Sequence, residues 1–195
     1  MTHRPATNLR QECAAWLKAS LGCQSVEINV SVASVQGGKA STVDLRGERY
    51  DRRWQRLKSS GVKVFLAAVV LQNVPPLYAL AAEFSMTPNL LLVVSLLLMA
   101  VGHIGRVRTR EYAWVQCRDF AKPVKRGDVQ ALHDTVGEIR RSGSVKWKPS
   151  EVIFATGTNG FDAEALELAR STGIQCYGWT DAGFEQARSR QSLSK

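Results

Sequence analysis

The stretch VFLAAVVLQNVPPLYALAAEFSMTPNLLLVVSLLLMAVGHI, residues 64–104, decides how the rest of the chain is read. Between Lys63 and Glu83 no side chain is charged. At about 1.5 Å per residue, those roughly 19 residues reach the ~30 Å of a bilayer core. Pro75-Pro76 in the middle removes backbone donors and predicts a kink, which a neighbouring helix makes tolerable. A turn around residues 85–89 follows, with Pro88 suited to a first helical turn. The second run, 90–104, is strictly apolar for only about 15 residues, which also fits a buried core helix or a re-entrant segment. Its apolar character on all sides favours lipid. The expectation is a two-helix transmembrane hairpin over residues 62–105.

Arginine and lysine gather on both flanks: Arg46, Arg49, Arg52, Arg53, Arg56 and Lys58 before the hairpin, Arg106, Arg108 and Arg110 after it. Basic residues at membrane ends mark the cytoplasmic side, so both termini are expected in the cytoplasm, with residues 49–61 as a juxtamembrane segment. Lys plus Arg outnumber Asp plus Glu by 26 to 17, a formal charge of +9. That balance calls for an anionic partner, either DNA or an acidic lipid surface. Met1 to Gln24 interleaves Arg4, Arg10, Glu12 and Lys18 with apolar residues, unlike a cleavable signal, so the N-terminus is expected to be retained.

A chain of 195 residues accommodates one full-sized core plus an accessory element. Cys13, Cys23, Cys117 and Cys176 are too scattered for a zinc knuckle and too few for a disulfide scaffold; reduced, buried thiols are expected. His3, His103 and His133 are equally dispersed. Their spacing supports neither a metal cluster nor a Ser-His-Asp constellation.

Outside the hairpin the pattern is α/β. Leu9, Cys13, Trp16, Leu17 and Leu21 recur at helical spacing, with Gly22 as a stop. Val26, Ile28, Val30 and Val32 alternate along a strand, Gln36-Gly37-Gly38-Lys39 turns, and residues 41–46 give a second strand. After the hairpin, residues 112–120 read as a strand with Gln116 and Arg118 on one face and Val115 and Cys117 toward the core. Asp128 caps a helix whose Val129, Leu132, Val136 and Ile139 form one buried stripe. Residues 151–155, 163–171 and 174–177 continue as strand, helix and strand. The expected order is α-β-β, insertion, β-α-β-α-β. Residues 8–48 and 106–182 make two halves of one domain, since the first half alone has a marginal core, and 183–195 is a polar tail.

The run VQCRDFAKPVKRGDV, residues 115–129, resembles the core of Mrr-like restriction endonucleases, a branch of the PD-(D/E)xK nuclease superfamily. The run Gln116-Cys117-Arg118 stands at that family's strand motif, followed by Lys122-Pro123-Val124 and by Asp128-Val129-Gln130 at a helix start. IFATGTNGFDAEALELARSTGI, residues 153–174, looks like the family's closing strand and helix. The resemblance covers most of the chain outside the hairpin and implies a restriction-endonuclease-like core, α-β-β-β-α-β-α-β, interrupted by the membrane hairpin.

By that resemblance Asp44 is a metal ligand, Gln116 a carbonyl-oxygen ligand, and Glu12 a further metal or substrate contact. Asp44, Gln116 and Arg118 would form the catalytic set. A bound Mg²⁺ lowers the pKa of its water and neutralises charge developing on a phosphodiester. Arg118 stands where the family uses lysine; a guanidinium stabilises phosphate charge but is a poor general base. On residue type alone, Asp44 also reads as a strand-end aspartate, and Gln116 with Arg118 as a solvated pair on an edge strand. The Gly157–Gly160 turn departs too far from a P-loop to imply nucleotide binding.

Three functional readings follow. The first is a membrane-anchored nuclease of bacterial type, at the cytoplasmic membrane, that hydrolyses DNA with Mg²⁺. The second is a catalytically inactive nuclease-fold module that binds or assembles at the membrane. The third is a homo-oligomer or a subunit of a larger membrane complex, its apolar helices packed on other helices.

Overall fold

The computed structural model describes residues 6–32, 41–74, 88–118, 123–141, 147–157, 160–180 and 183–187. The turn around Gly37-Gly38, Pro75-Pro76, the rest of the first apolar segment and the turn before Pro88 lie outside them, as do residues 188–195. The chain divides into two compact units. One comprises Met1–Arg49 with Glu111–Lys195; the other is Tyr50–Arg110, inserted between them.

The first unit is α/β, with a mixed six-stranded sheet. Its elements run α1 (Ala6–Ser20), β1 (Ser25–Val32), β2 (Ser41–Arg49), then after the insertion β3 (Glu111–Arg118), α4 (Arg126–Arg141), β4 (Glu151–Thr156), α5 (Ala163–Thr172), β5 (Ile174–Thr180) and β6 (Gly183–Gln186). The insertion contributes α2 (Arg52–Asn73) and α3 (Pro88–Arg108). Strands lie in the order β1-β2-β3-β4-β5-β6. The first three are mutually antiparallel, β3, β4 and β5 run parallel, and β6 returns antiparallel. The parallel crossovers are α4 and α5, the arrangement that alternating strand and helix patterns call for.

Two apolar layers cover the sheet. Trp114, Val152 and Phe154 face Val129, Leu132, Val136 and Ile139 of α4 and Ala165, Leu166 and Ala169 of α5. Leu45, Val115, Cys117, Ile153 and Ala155 face Leu9, Cys13 and Leu17 of α1. Gly22, at φ +67, ends the connection after α1 in a conformation that favours glycine. The sequence reading stops the sheet at β5 and assigns residue 183 onward to a tail. Instead β6 completes it, because Phe184 is buried against Trp16 and Trp179, with ring centroids 5.4 and 4.7 Å away.

The described residues of the inserted unit form an antiparallel pair of helices. α2 begins at Arg52, not at residue 64, with Asp51 as N-cap accepting from the Arg53 amide. The basic segment and the first apolar run therefore share one helix. It ends at Asn73, with Val74 extended at φ −118, ψ 98. The pyrrolidine ring of Pro75 disfavours helical geometry in the residue before it, which accounts for the extended Val74; the kink expected at Pro75-Pro76 lies outside the described residues. Among the described residues one helix, Asn89–Arg108, is long and apolar enough to cross a membrane.

The two helices meet at glycines. A Cβ on Gly102 would lie 2.7 Å from the Lys58 backbone N, and one on Gly61 would lie 2.9 Å from the Met99 N. Small residues at such points let helix backbones approach where side chains could not fit. Farther along, Gln72 donates to Asn89 Oδ1 at 3.2 Å. Arg106 stacks over Tyr50 at the opposite end, 4.2 Å from the ring centroid.

Candidate functional site

The chain places Asp44 where the sheet changes character. β2 pairs with β3 from Arg49↔Glu111 to Leu45↔Val115, and the ladder stops there. Two residues apart on β2, Val43 packs in the α4/α5 layer and Leu45 in the α1 layer. Regular strand alternation would put both on one face, so β2 is kinked at Asp44. The β1 pairings Ile28↔Leu45 and Val30↔Val43 leave Asn29 opposite Asp44, and Asn29 takes φ +56. Asparagine tolerates that left-handed region better than most residues.

The kink frees the Asp44 side chain to do what the backbone no longer does. Its Oδ2 accepts from the Cys117 amide at 2.9 Å and from Gln116 Nε2 at 2.6 Å. Its Oδ1 pairs with Arg10 Nη2 of α1 at 2.7 Å. Asp44 is 8% exposed. A buried carboxylate is stable when paired and hydrogen-bonded, and here one carboxylate joins α1, β2 and β3.

Of the four expected site residues, Asp44 and Gln116 meet directly. Arg118 is exposed at the end of β3, across from Thr156 of β4, and its carbonyl accepts from the Gly157 amide at 3.4 Å. Glu12 is half-buried on α1. Sequence reasoning named Glu12 on this helix and passed over Arg10. The signal was present, since Arg10, Cys13 and Leu17 follow the i, i+3, i+7 stripe facing the sheet. A guanidinium on an apolar stripe needs a buried acceptor, and Asp44 supplies it.

Behind the carboxylate lie two thiols. Cys13 and Cys117 are buried in the α1 layer. The hydrogen bond between them, reinforced by burial and then by the Asp44 charge, holds the Cys117 thiol far above its usual range. Thr156, 1% exposed at the end of β4, has a buried hydroxyl without a hydrogen-bond partner among the described residues.

Mg²⁺ fits these residues poorly. A hard divalent cation is held by several oxygens, carboxylates foremost. Among the described residues no three His, Cys, Asp or Glu side chains form a group able to hold a metal ion. Gln116 turns its amide nitrogen, not its carbonyl, toward Asp44, and Arg10 already supplies the positive charge. As arranged, the site can bind α1 to the sheet and present guanidinium groups to an anion.

No protein-family model, curated protein or solved structure matches this chain.

Proposed function

We propose that the chain is a membrane-held, nuclease-like α/β module that binds DNA phosphate without cutting it. The observation that carries this reading is the engaged Asp44 carboxylate, whose oxygens meet Arg10, Gln116 and the Cys117 amide. A water-activating metal needs those oxygens free, and the position of the usual lysine is taken by Arg118, a residue type that serves poorly as a general base. The Mrr-like sequence run supports a nucleic-acid partner. Arg118, exposed at the strand end, is the residue assigned to a phosphate oxygen.

The inserted helices support anchoring. α3 carries Leu90, Val93, Leu96, Leu97, Val101 and Ile104 at 48–59% exposure, a surface far more apolar than water tolerates in a contiguous patch. With the basic residues as the cytoplasmic mark, the module sits on the inner face of a bacterial cytoplasmic membrane. A protein complex in that membrane is the other occupant such helices accept.

The hydrolytic reading keeps one specific support: Asp44 and Gln116, both named by the resemblance, are hydrogen-bonded to each other. The test is plasmid nicking by the purified full chain in Mg²⁺ or Mn²⁺, alongside duplex binding across a salt series. Binding without nicking, weakened by Arg118→Ala, is the expected result. Metal-dependent nicking that disappears in Asp44→Ala would replace this proposal with the enzyme.

A further inference from the structure

The inserted unit concentrates charge as well as apolar surface. Between Tyr50 and Arg110 the basic residues are Arg52, Arg53, Arg56, Lys58, Lys63, Arg106, Arg108 and Arg110, against Asp51 and Glu83. This segment holds most of the excess that makes the chain basic. All the Arg and Lys residues except Lys63 lie at one end of the helix pair, because α2 starts where α3 finishes: Gly102 abuts Lys58 and Trp54, and Gly61 abuts Met99. The opposite end carries Gln72, Asn73 and Asn89. The pair is therefore polarised along its length, with a cationic collar at one end and, among the described residues, only amide side chains at the other.

Between collar and tip the outward faces are apolar apart from the exposed Lys63 of α2. Val62, Leu66 and Val70 of α2 and Leu90, Val93, Val94, Leu97, Val101 and Ile104 of α3 are all exposed. From Asn89 to Arg106 the rise is about 25 Å, close to the thickness of a hydrocarbon core. Tyr50 and Trp54 lie at the collar, the depth at which amphipathic rings gather in membranes. Arg106 stacks on Tyr50, which fixes one guanidinium at that level.

We infer that this collar is a binding site for the phosphate headgroups of anionic phospholipids, engaged while the apolar shaft is embedded. The inference rests on the membrane reading proposed above and adds the lipid class. DNA would satisfy the same charges but leave the adjoining shaft in water. An acidic lipid surface meets both at once, and the two features are continuous on the same two helices. Arg52, Arg53 and Arg108 are exposed and carry the contact without a structural duty in the helix pair.

Full-length protein is equilibrated with phosphatidylcholine vesicles, with or without about 30 mol % phosphatidylglycerol, and the bound fraction is read by flotation. Each basic residue near an anionic surface strengthens binding by roughly fivefold, so the Arg52→Gln, Arg53→Gln, Arg108→Gln triple variant should lose roughly 100-fold of the preference for acidic vesicles. It should still bind the neutral ones. Wild-type binding to both vesicle types with equal affinity overturns the headgroup site and leaves anchoring intact. Failure to bind either type overturns anchoring itself. Displacement of the protein from acidic vesicles by a short DNA duplex, with the same three arginines required, reassigns the collar to DNA.

Discussion

Replacing Asp44 with alanine separates a structural clamp from a catalytic carboxylate. The buried Cys117 amide loses its acceptor at 2.9 Å, which costs about 1–3 kcal/mol for an unsatisfied buried donor. Gln116 is half-buried and recovers part of its loss by turning to water, leaving roughly 0.5 kcal/mol. Arg10, whose side chain is 36% exposed, regains solvation, so its ion pair contributes less than about 1 kcal/mol. The sum is about 2–4 kcal/mol, or a melting point lowered by roughly 5–15 °C for a chain of this size. Tryptophan emission followed through urea and thermal unfolding measures it. Asp44→Asn keeps an acceptor for the amide while removing the charge facing Arg10, and is expected to cost about half as much. A catalytic carboxylate behaves oppositely, since functional residues are often held at a cost to stability and their removal is neutral or stabilising. An alanine variant as stable as the parent would refute the clamp, and with it the main support for a non-cutting module.

Other consequences are open to measurement. Phe184→Ala removes the side chain that seats β6 between Trp16 and Trp179, and is expected to cost about 3 kcal/mol in urea unfolding; a loss below about 0.5 kcal/mol would mean that β6 is peripheral. Burial pushes the Cys176 thiol up to about 12 and raises that of Cys23, and the Cys13 hydrogen bond raises that of Cys117. Because the folded chain holds protons that the unfolded chain releases above about pH 9, the thiols' contribution to stability is level below pH 9 and falls between there and about 12, by at most about 1.4 kcal/mol per thiol per pH unit. Melting in reductant at pH 8, 9 and 10 checks this, with a shallower decline expected for Cys176→Ala. Gly102→Val drives a branched side chain into the Lys58 backbone, and the helix pair should lose about 3 kcal/mol or separate, read as faster proteolysis between the helices in detergent.

Much of the fold was legible because periodicity reports burial. Val129, Leu132, Val136 and Ile139 recur at three and four, and all four are buried. The sheet's first five strands carry enough β-branched or aromatic residues to announce themselves. β6 does not: it is four residues, Gly-Phe-Glu-Gln, with a single buried side chain, and only tertiary contact makes it a strand. The start of α2 was hidden for a related reason, since arginine and lysine propagate helix readily but leave no apolar stripe to detect. At the site, the resemblance named Asp44 and Gln116 as metal ligands, and the structure joins them instead by a direct hydrogen bond. Arg10 is legible as a guanidinium on the apolar stripe of α1, but its acceptor is not, because that depends on the kink at Asp44, and a kink has no period.

The position of the insertion leads to a stronger test. Arg49 and Glu111 form the last pair of the β2–β3 ladder, and their side chains are joined by an ion pair. The chain thus leaves the sheet and re-enters it at adjacent positions. Every described residue of the two core layers lies outside Tyr50–Arg110. A two-residue Asn-Gly turn, whose type I′ geometry matches strand twist, can therefore replace the insertion with Arg49 and Glu111 still paired. Closing a loop with two residues in place of about 60 removes up to about 3 kcal/mol of closure entropy. The shortened chain should be monomeric in buffer without detergent, melt at or above the parent temperature, and retain duplex binding through Arg118 while losing vesicle binding. Should it instead collapse into a species with helix and strand content but no cooperative unfolding, the insertion must be supplying contacts that the sheet needs. The module could not then be an independent domain that acquired its anchor at a hairpin.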